Sequence, residues 1–351
     1  MGRILLLYII LTFVLFFENG IAQSFQQSLR VPPSHRQKNL PSHIEPYWSP
    51  DGQKIAFASS RNGNFDIYVY ELGSNRLQNI SMHPADDYYP SWSPDGNRIA
   101  YYSEREGEND IDKFYLRFDG TKTTQLPINS ARDGDLPSWS PDSRYITYHS
   151  NEDLNFEIYS RHHNGGEKKR LTHNEANDVY PFYSPDGEKI VFLSDRNGNM
   201  EIYTMDSDGS NETRLTYTPE SYELDPTWSP DGTKIAFASN RQENFELYVM
   251  NADGSDQTRL TYDFGFDLGP IWSPDGETLL FSSDRNGNFD IYTIRVDGTE
   301  LRQLTDNPGK DYYASWSPDG RKIVFTSDRN GIHEIFIMER DGSKVRKVEI
   351  R

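Results

Sequence analysis

The chain has 351 residues, of which 13% are aromatic and none is cysteine, so disulfides, thiolate zinc sites and a cysteine nucleophile are excluded. A formal charge of −18 argues against a phosphate-backbone partner. It favours a cationic ligand, a metal or a basic protein patch, or simply keeps an exported protein soluble.

Residues 1–22 have the layout of a secretory signal peptide. Arg3 supplies the positive end, Ile4 to Phe17 form an apolar run, and Gly20-Ile21-Ala22 places small residues where a signal peptidase cuts. The run is short for a spanning helix, which needs about 20 residues. Residues 23–42, with Pro32, Pro33 and Pro41 among polar residues, read as a linker.

From residue 43 the chain repeats itself. Trp-Ser-Pro-Asp-Gly at 48–52 recurs at Trp92, Trp139, Trp228, Trp272 and Trp316, with Tyr183 standing in for Trp in the fourth copy. Successive anchors are 44, 47, 44, 45, 44 and 44 residues apart. A period in the forties built of short β-type runs and Gly/Asp/Asn turns predicts a β-propeller. Each unit continues from the anchor with a strand such as Lys54 to Ala58 and a Ser eleven residues on (Ser59, Ser103, Ser150, Ser194, Ser239, Ser283, Ser327). A tight turn, often Asn-Gly, leads to an Ile-Tyr strand, and an Asp-Gly turn leads to a closing Leu-Thr strand. With the strand entering the anchor, this makes four antiparallel strands per unit and a seven-bladed all-β propeller over 43–351.

The 47-residue step places three extra residues in the second blade's hairpin, near Glu106 to Asp112, and the 45-residue step one extra residue between Tyr217 and Asp225. Both fall in strand 2–3 or strand 4–1 turns, which share one rim, the rim expected to bind. The first unit supplies its own first strand and the last its own fourth. The ring is therefore expected to close by packing of blade one on blade seven, without a shared blade.

The repeated Trp-Ser-Pro-Asp-Gly, Ser-Asp-Arg, Ile-Tyr, Asp-Gly-Ser, Leu-Thr series resembles the propeller repeats of the TolB family, over residues 43–351. The resemblance implies a periplasmic, protein-binding propeller. The chain departs from the TolB pattern in lacking an α/β domain before the repeats and in having seven units where TolB has six. Related repeats occur in prolyl-oligopeptidase-type and oligogalacturonate-lyase propellers.

Two sets of charged residues recur. Arg61, Arg105, Arg196, Arg241, Arg285 and Arg329 lie thirteen residues after the anchor, with Glu152 in blade three. An acidic residue precedes the Ile-Tyr pair in six blades (Asp66, Glu157, Glu201, Glu246, Asp290, Glu334), with Lys113 in blade two. Both flank one hairpin, which predicts a structural Arg–carboxylate pair across it. Asp87, Asp178, Glu223, Asp267 and Asp311 stand five residues before the anchor, at the start of the innermost strand. There they are expected at the channel mouth, where they could receive a basic peptide or a divalent cation such as Ca²⁺, or simply cap their own loops. The Asp of each Ser-Pro-Asp-Gly belongs to a tight turn.

No Gly-x-Ser-x-Gly elbow is present, and the eight His show no metal-site spacing. The expectation is therefore an exported, monomeric, non-catalytic scaffold, periplasmic or extracellular, binding a protein or peptide without a cofactor. The rival is a carbohydrate-active lyase with a metal in the channel. It would assemble His83, His149, His173 and His333 there and use Tyr88-Tyr89 and Tyr312-Tyr313 for sugar stacking.

Overall fold

A computed structural model describes residues 40–104, 112–117, 123–126 and 137–350. The signal segment, nearly all of the linker, Arg105 and the predicted insertion in the second blade's hairpin lie outside the described residues.

Alternating apolar residues and Gly-containing turns produce β-strands throughout, and these form seven four-stranded antiparallel sheets. The protein is a β-propeller of four-stranded antiparallel blades. The blades span residues 43–79, 87–126, 138–170, 178–214, 223–259, 267–303 and 311–347. Each takes its four strands from one unbroken stretch of chain. Blade four is typical: Asp178–Tyr183 lies innermost, followed outward by Lys189–Ser194, Glu201–Asp206 and Thr213–Arg214.

The Ser-Pro-Asp-Gly turns behave as predicted. Ser49 Oγ donates to Asp51 Oδ1 at 2.5 Å, the same carboxylate accepts Gln53 N–H at 3.0 Å, and Gly52 takes φ 67°. The Ser hydroxyl of the same turn holds Asp186, Asp231 and Asp319 below the usual carboxylate range.

Within blades, second-strand and third-strand rings stack, as in Phe192–Tyr203 (5.6 Å) and Phe325–Phe336 (5.8 Å). Between blades, five of the six anchor indoles reach back to the inner strand before them. Trp92 Nε1 donates to Tyr47 O, Trp139 to Ser91 O, Trp228 to Phe182 O, Trp272 to Thr227 O and Trp316 to Ile271 O, at 3.1–3.4 Å.

Blades one and seven share a core, Trp48, Phe57 and Tyr68 packing with Val324, Ile335, Ile337 and Val348. His43 N–H donates to His333 O at 2.8 Å, just as Asp87, Asp178 and Asp311 N–H donate to the preceding blade's Phe65, Phe156 and Phe289 O. The joint nevertheless differs from the others, because the buried Trp48 Nε1 has no acceptor.

Candidate functional site

The recurring arginines do not pair as the sequence predicts. Four of the described ones reach the inner strand rather than the acid across the hairpin. Arg196 donates to Asp178 (3.0 and 2.8 Å), Arg241 to Glu223 (3.1 Å), Arg285 to Asp267 (2.8 and 2.7 Å) and Arg329 to Asp311 (both 3.1 Å). The same guanidinium lies on the blade's stacked rings, Arg285 Cζ being 4.8 Å from the Tyr292 centroid. The reason is reach: the hairpin folds back over the aromatic pair, which delivers the guanidinium to the start of the first strand.

This corrects the reading of the five carboxylates as a channel-mouth receptor. Asp87, Asp178, Glu223, Asp267 and Asp311 are all fully buried, and the last four are held by their arginines. Burial pushes the Asp178, Glu223 and Asp267 carboxyls up against the pull of those arginines. Blade one departs from the pattern with His43 at this position, its Nδ1 2.8 Å from Ser59 Oγ. Burial, aided by Arg61, lowers His43 to about 4. Arg61 itself lies over Tyr68 at 5.7 Å.

The acids before the Ile-Tyr pairs serve the closing strand. Glu157, Glu201 and Glu246 accept from Arg170, Arg214 and Arg259 (2.6–2.9 Å) and from the first N–H groups of the outgoing loop. Blade three's irregularity is a compensated swap. Arg196 pairs with Glu212 in blade four, and the equivalent positions of blade three hold Glu152 paired with Lys168.

Another inner-strand position carries the chemistry. In each inner strand described in full the ladder slips by one residue, as between Val179 and Phe182, and the extra residue takes a positive φ. These residues are Glu45 (57°), Tyr89 (51°), Tyr180 (56°), Asp225 (52°), Gly269 (62°) and Tyr313 (51°). They stand three residues before the anchor and comprise three tyrosines, two acids and one glycine. That they point to the axis follows from Tyr89 and Tyr313, whose rings meet edge-to-face at 6.4 Å although blade one lies between their blades.

At four of the six bulges the freed N–H is met from the blade before. Tyr89 N–H donates to Glu45 Oε2 (2.6 Å), Gly269 N–H to Asp225 Oδ2 (3.1 Å), Glu45 N–H to Thr326 Oγ1 (3.2 Å) and Tyr180 N–H to His149 Nδ1 (3.3 Å). Burial raises Glu45 to about 8 and raises Asp225 as well. Sequence reasoning named Tyr89 and Tyr313 as stacking rings but missed the ring of bulges they belong to, because it sought residues that repeat. The usable signal was the position three residues before the anchor, where tyrosine, acid and glycine alternate among the blades.

The four watched histidines do not converge. His149 is buried in blade three with Nδ1 accepting, and His333 lies against Tyr312 in blade seven. His83 and His173 follow the closing strands of blades one and three. Among the described residues no three His, Asp or Glu side chains gather as a metal-binding group.

On the rim of the strand 4–1 and 2–3 loops, several large apolar side chains stand in solvent: Met82 (74% exposed), Leu154, Tyr217 (67%), Tyr262 (73%), Phe264 (102%) and Phe266. Met82, Tyr217 and Tyr262 occupy one equivalent position, just past the closing strand. The extra residue of the 45-residue step also lies here. Asn64, Asn155, Asn244 and Asn288 each bind loop carbonyls 19 and 21 residues ahead, whereas Asn199 binds Thr218 O and Ser221 O, 19 and 22 ahead. The insertion therefore sits between Thr218 and Ser221.

The sequence profile described as the TolB beta propeller domain matches residues 11–133, 128–225, 220–298 and 285–351. The chain belongs to the TolB β-propeller family. Among solved structures, a protein from Agrobacterium tumefaciens assigned as TolB is 29% identical (TM-score 0.53), over 64% of this chain and 83% of that one. TolB from Acinetobacter baumannii is 22% identical (TM-score 0.56), over 84% and 77%. An oligogalacturonate lyase from Vibrio parahaemolyticus is 16% identical (TM-score 0.69), over 86% and 91%. At these last two identities the likeness is one of fold. No curated protein sequence matches this TolB-family chain. Among its described residues no helix is long and apolar enough to cross a membrane.

Proposed function

We propose that this TolB-family chain is an exported, seven-bladed, non-catalytic scaffold that binds a protein or peptide on the rim carrying its strand 4–1 and 2–3 loops. The observation that carries the reading is the exposure of Tyr217, Tyr262, Phe264 and Phe266 on the loops leaving blades four and five. Exposed aromatics concentrated on one rim are the composition of a protein-contacting surface. The turns on the other rim expose Leu301 and Val345 but, among the described residues, no large aromatic ring. Recognition by such a rim needs no cofactor, and the rigid ring spares the partner's site any ordering cost. Removal of residues 1–22 would release a periplasmic or extracellular monomer.

Two measurements test this. N-terminal sequencing of the protein recovered from its host is expected to begin at Gln23; retention of Met1 overturns export. Cross-linking in an envelope extract is expected to capture one partner with the wild type and to lose it with the Tyr262→Ser/Phe264→Ser double variant. Equal capture by both proteins overturns the rim assignment.

A further inference from the structure

The bulge ring has a gap. Blades two, four and seven fill their bulge positions with tyrosines and blades one and five with carboxylic acids, but blade six has Gly269. A Cβ placed there would meet no atom within 4 Å, so this arc of the channel wall opens onto free space. Beside the gap stands Asp225, half-buried, with Oδ2 taken by the Gly269 N–H. On the other side of the gap, Tyr313 of blade seven meets Tyr89 edge-to-face, and the Tyr89 N–H is held by the buried Glu45. Tyr312 backs Tyr313 at 5.2 Å, fully buried, and its hydroxyl has no hydrogen-bond partner.

The wall thus offers carboxyls and the electron-rich faces of tyrosines, and none of these six bulge residues is cationic. An anion finds no cationic side chain among these six residues. A hard metal ion would want six or more oxygen ligands held close, and among the described residues no such group forms. An organic cation on a flexible stem satisfies both features, since its charge meets Asp225 while its body lies on aromatic faces.

We infer that the channel mouth receives a single lysine or arginine side chain of a peptide partner, entering at Gly269 between Asp225 and Tyr313. This rests on the peptide-binding reading above and names the chemistry of the partner. Affinity then depends on the charge of one side chain, while the exposed rim aromatics hold the rest of the peptide.

The test uses Gly/Ser decapeptides bearing one central arginine, one lysine, or one citrulline, the neutral isostere of arginine, titrated into the folded protein by calorimetry. The arginine and lysine peptides are expected to bind at least tenfold more tightly than the citrulline peptide. Gly269→Tyr restores the residue that three sibling blades carry at nearly the same φ, so it keeps the fold and fills the gap. It is expected to abolish the tenfold preference, as is Asp225→Asn, whose amide oxygen can still accept the Gly269 N–H. Melting curves verify that both variants are folded. Equal binding of the arginine and citrulline peptides, an unchanged preference in Gly269→Tyr, or no binding of any peptide overturns the inference. The cross-linking experiment with the rim variant judges the peptide-binding reading separately, so either can fail alone.

Discussion

Arg285 grips both oxygens of Asp267 with one nitrogen, at 2.8 and 2.7 Å, and the carboxylate it holds is wholly cut off from solvent. Removing one partner of a buried pair strands the other charge, at a cost of about 3–5 kcal/mol, whereas replacing both by apolar residues is often close to neutral. Arg285→Met is therefore expected to lower the denaturation midpoint sharply, and Arg285→Met/Asp267→Leu to recover most of the loss. Chemical denaturation of the two variants checks this. A double variant no better than the single would show that the stacking of Arg285 on Tyr292, and not its charge, holds the blade together.

The anchor tryptophans should not be equivalent. Trp272 donates to Thr227 O, while Trp48 at the joint of blades one and seven has no acceptor for its buried N–H. Tryptophan to phenylalanine forfeits ring volume at both sites, but only at 272 does it also orphan a carbonyl. The expected excess is about 1 kcal/mol for Trp272→Phe over Trp48→Phe, read from paired unfolding curves.

Two buried groups give stability opposite pH dependences. Burial holds the His43 imidazole down at about 4, against 6.5 in the unfolded chain, so between those values the unfolded chain binds a proton that the folded chain refuses. Stability is then lost as pH falls from 6.5 towards 4, by up to about 3 kcal/mol. Glu45 runs the other way, its carboxyl raised from 4.5 to about 8, so its contribution is complete below pH 4.5 and lost as pH rises through 8. His43→Asn is expected to flatten the acid limb of a melting-temperature profile, and Glu45→Gln the alkaline limb. Unchanged limbs would place the titrations elsewhere.

The rim aromatics should be dispensable for folding. Phe264 is fully exposed and Tyr262 largely so, and surface changes of this kind usually stay within about 0.5 kcal/mol. The Tyr262→Ser/Phe264→Ser variant is expected to melt with the wild type, so that any lost capture of a partner reflects the surface alone. A markedly lowered melting temperature would contradict this.

Much of the architecture was legible because it repeats. The anchor spacing and the Ser-Pro-Asp-Gly turns state the blade and its four strands directly, and the asparagine contacts put the extra residue of the 45-residue step inside the loop the spacing indicated. Pairing was not legible. Sequence proximity assigned Arg196 to Glu201, but folding the hairpin over Phe192 and Tyr203 carries its guanidinium to Asp178 instead. The candidate site was hidden for a related reason. The bulge residues mix tyrosines, acids and a glycine, and only the slip in the ladder at Val179–Phe182 and its counterparts reveals that their shared position, three residues before the anchor, is a bulge. Glu45, Asp225 and His149 do not look related until each is seen meeting the next blade's freed N–H.

Because every sheet draws its strands from one continuous segment, nothing early in the chain has to wait for something late in order to build a blade. Short-range assembly of this kind is quick, since little loop entropy is spent before contacts form. During synthesis each blade can settle onto its predecessor as it emerges. Only the closure of the ring, where His43 meets His333, requires the whole chain, which makes it the last latch to engage.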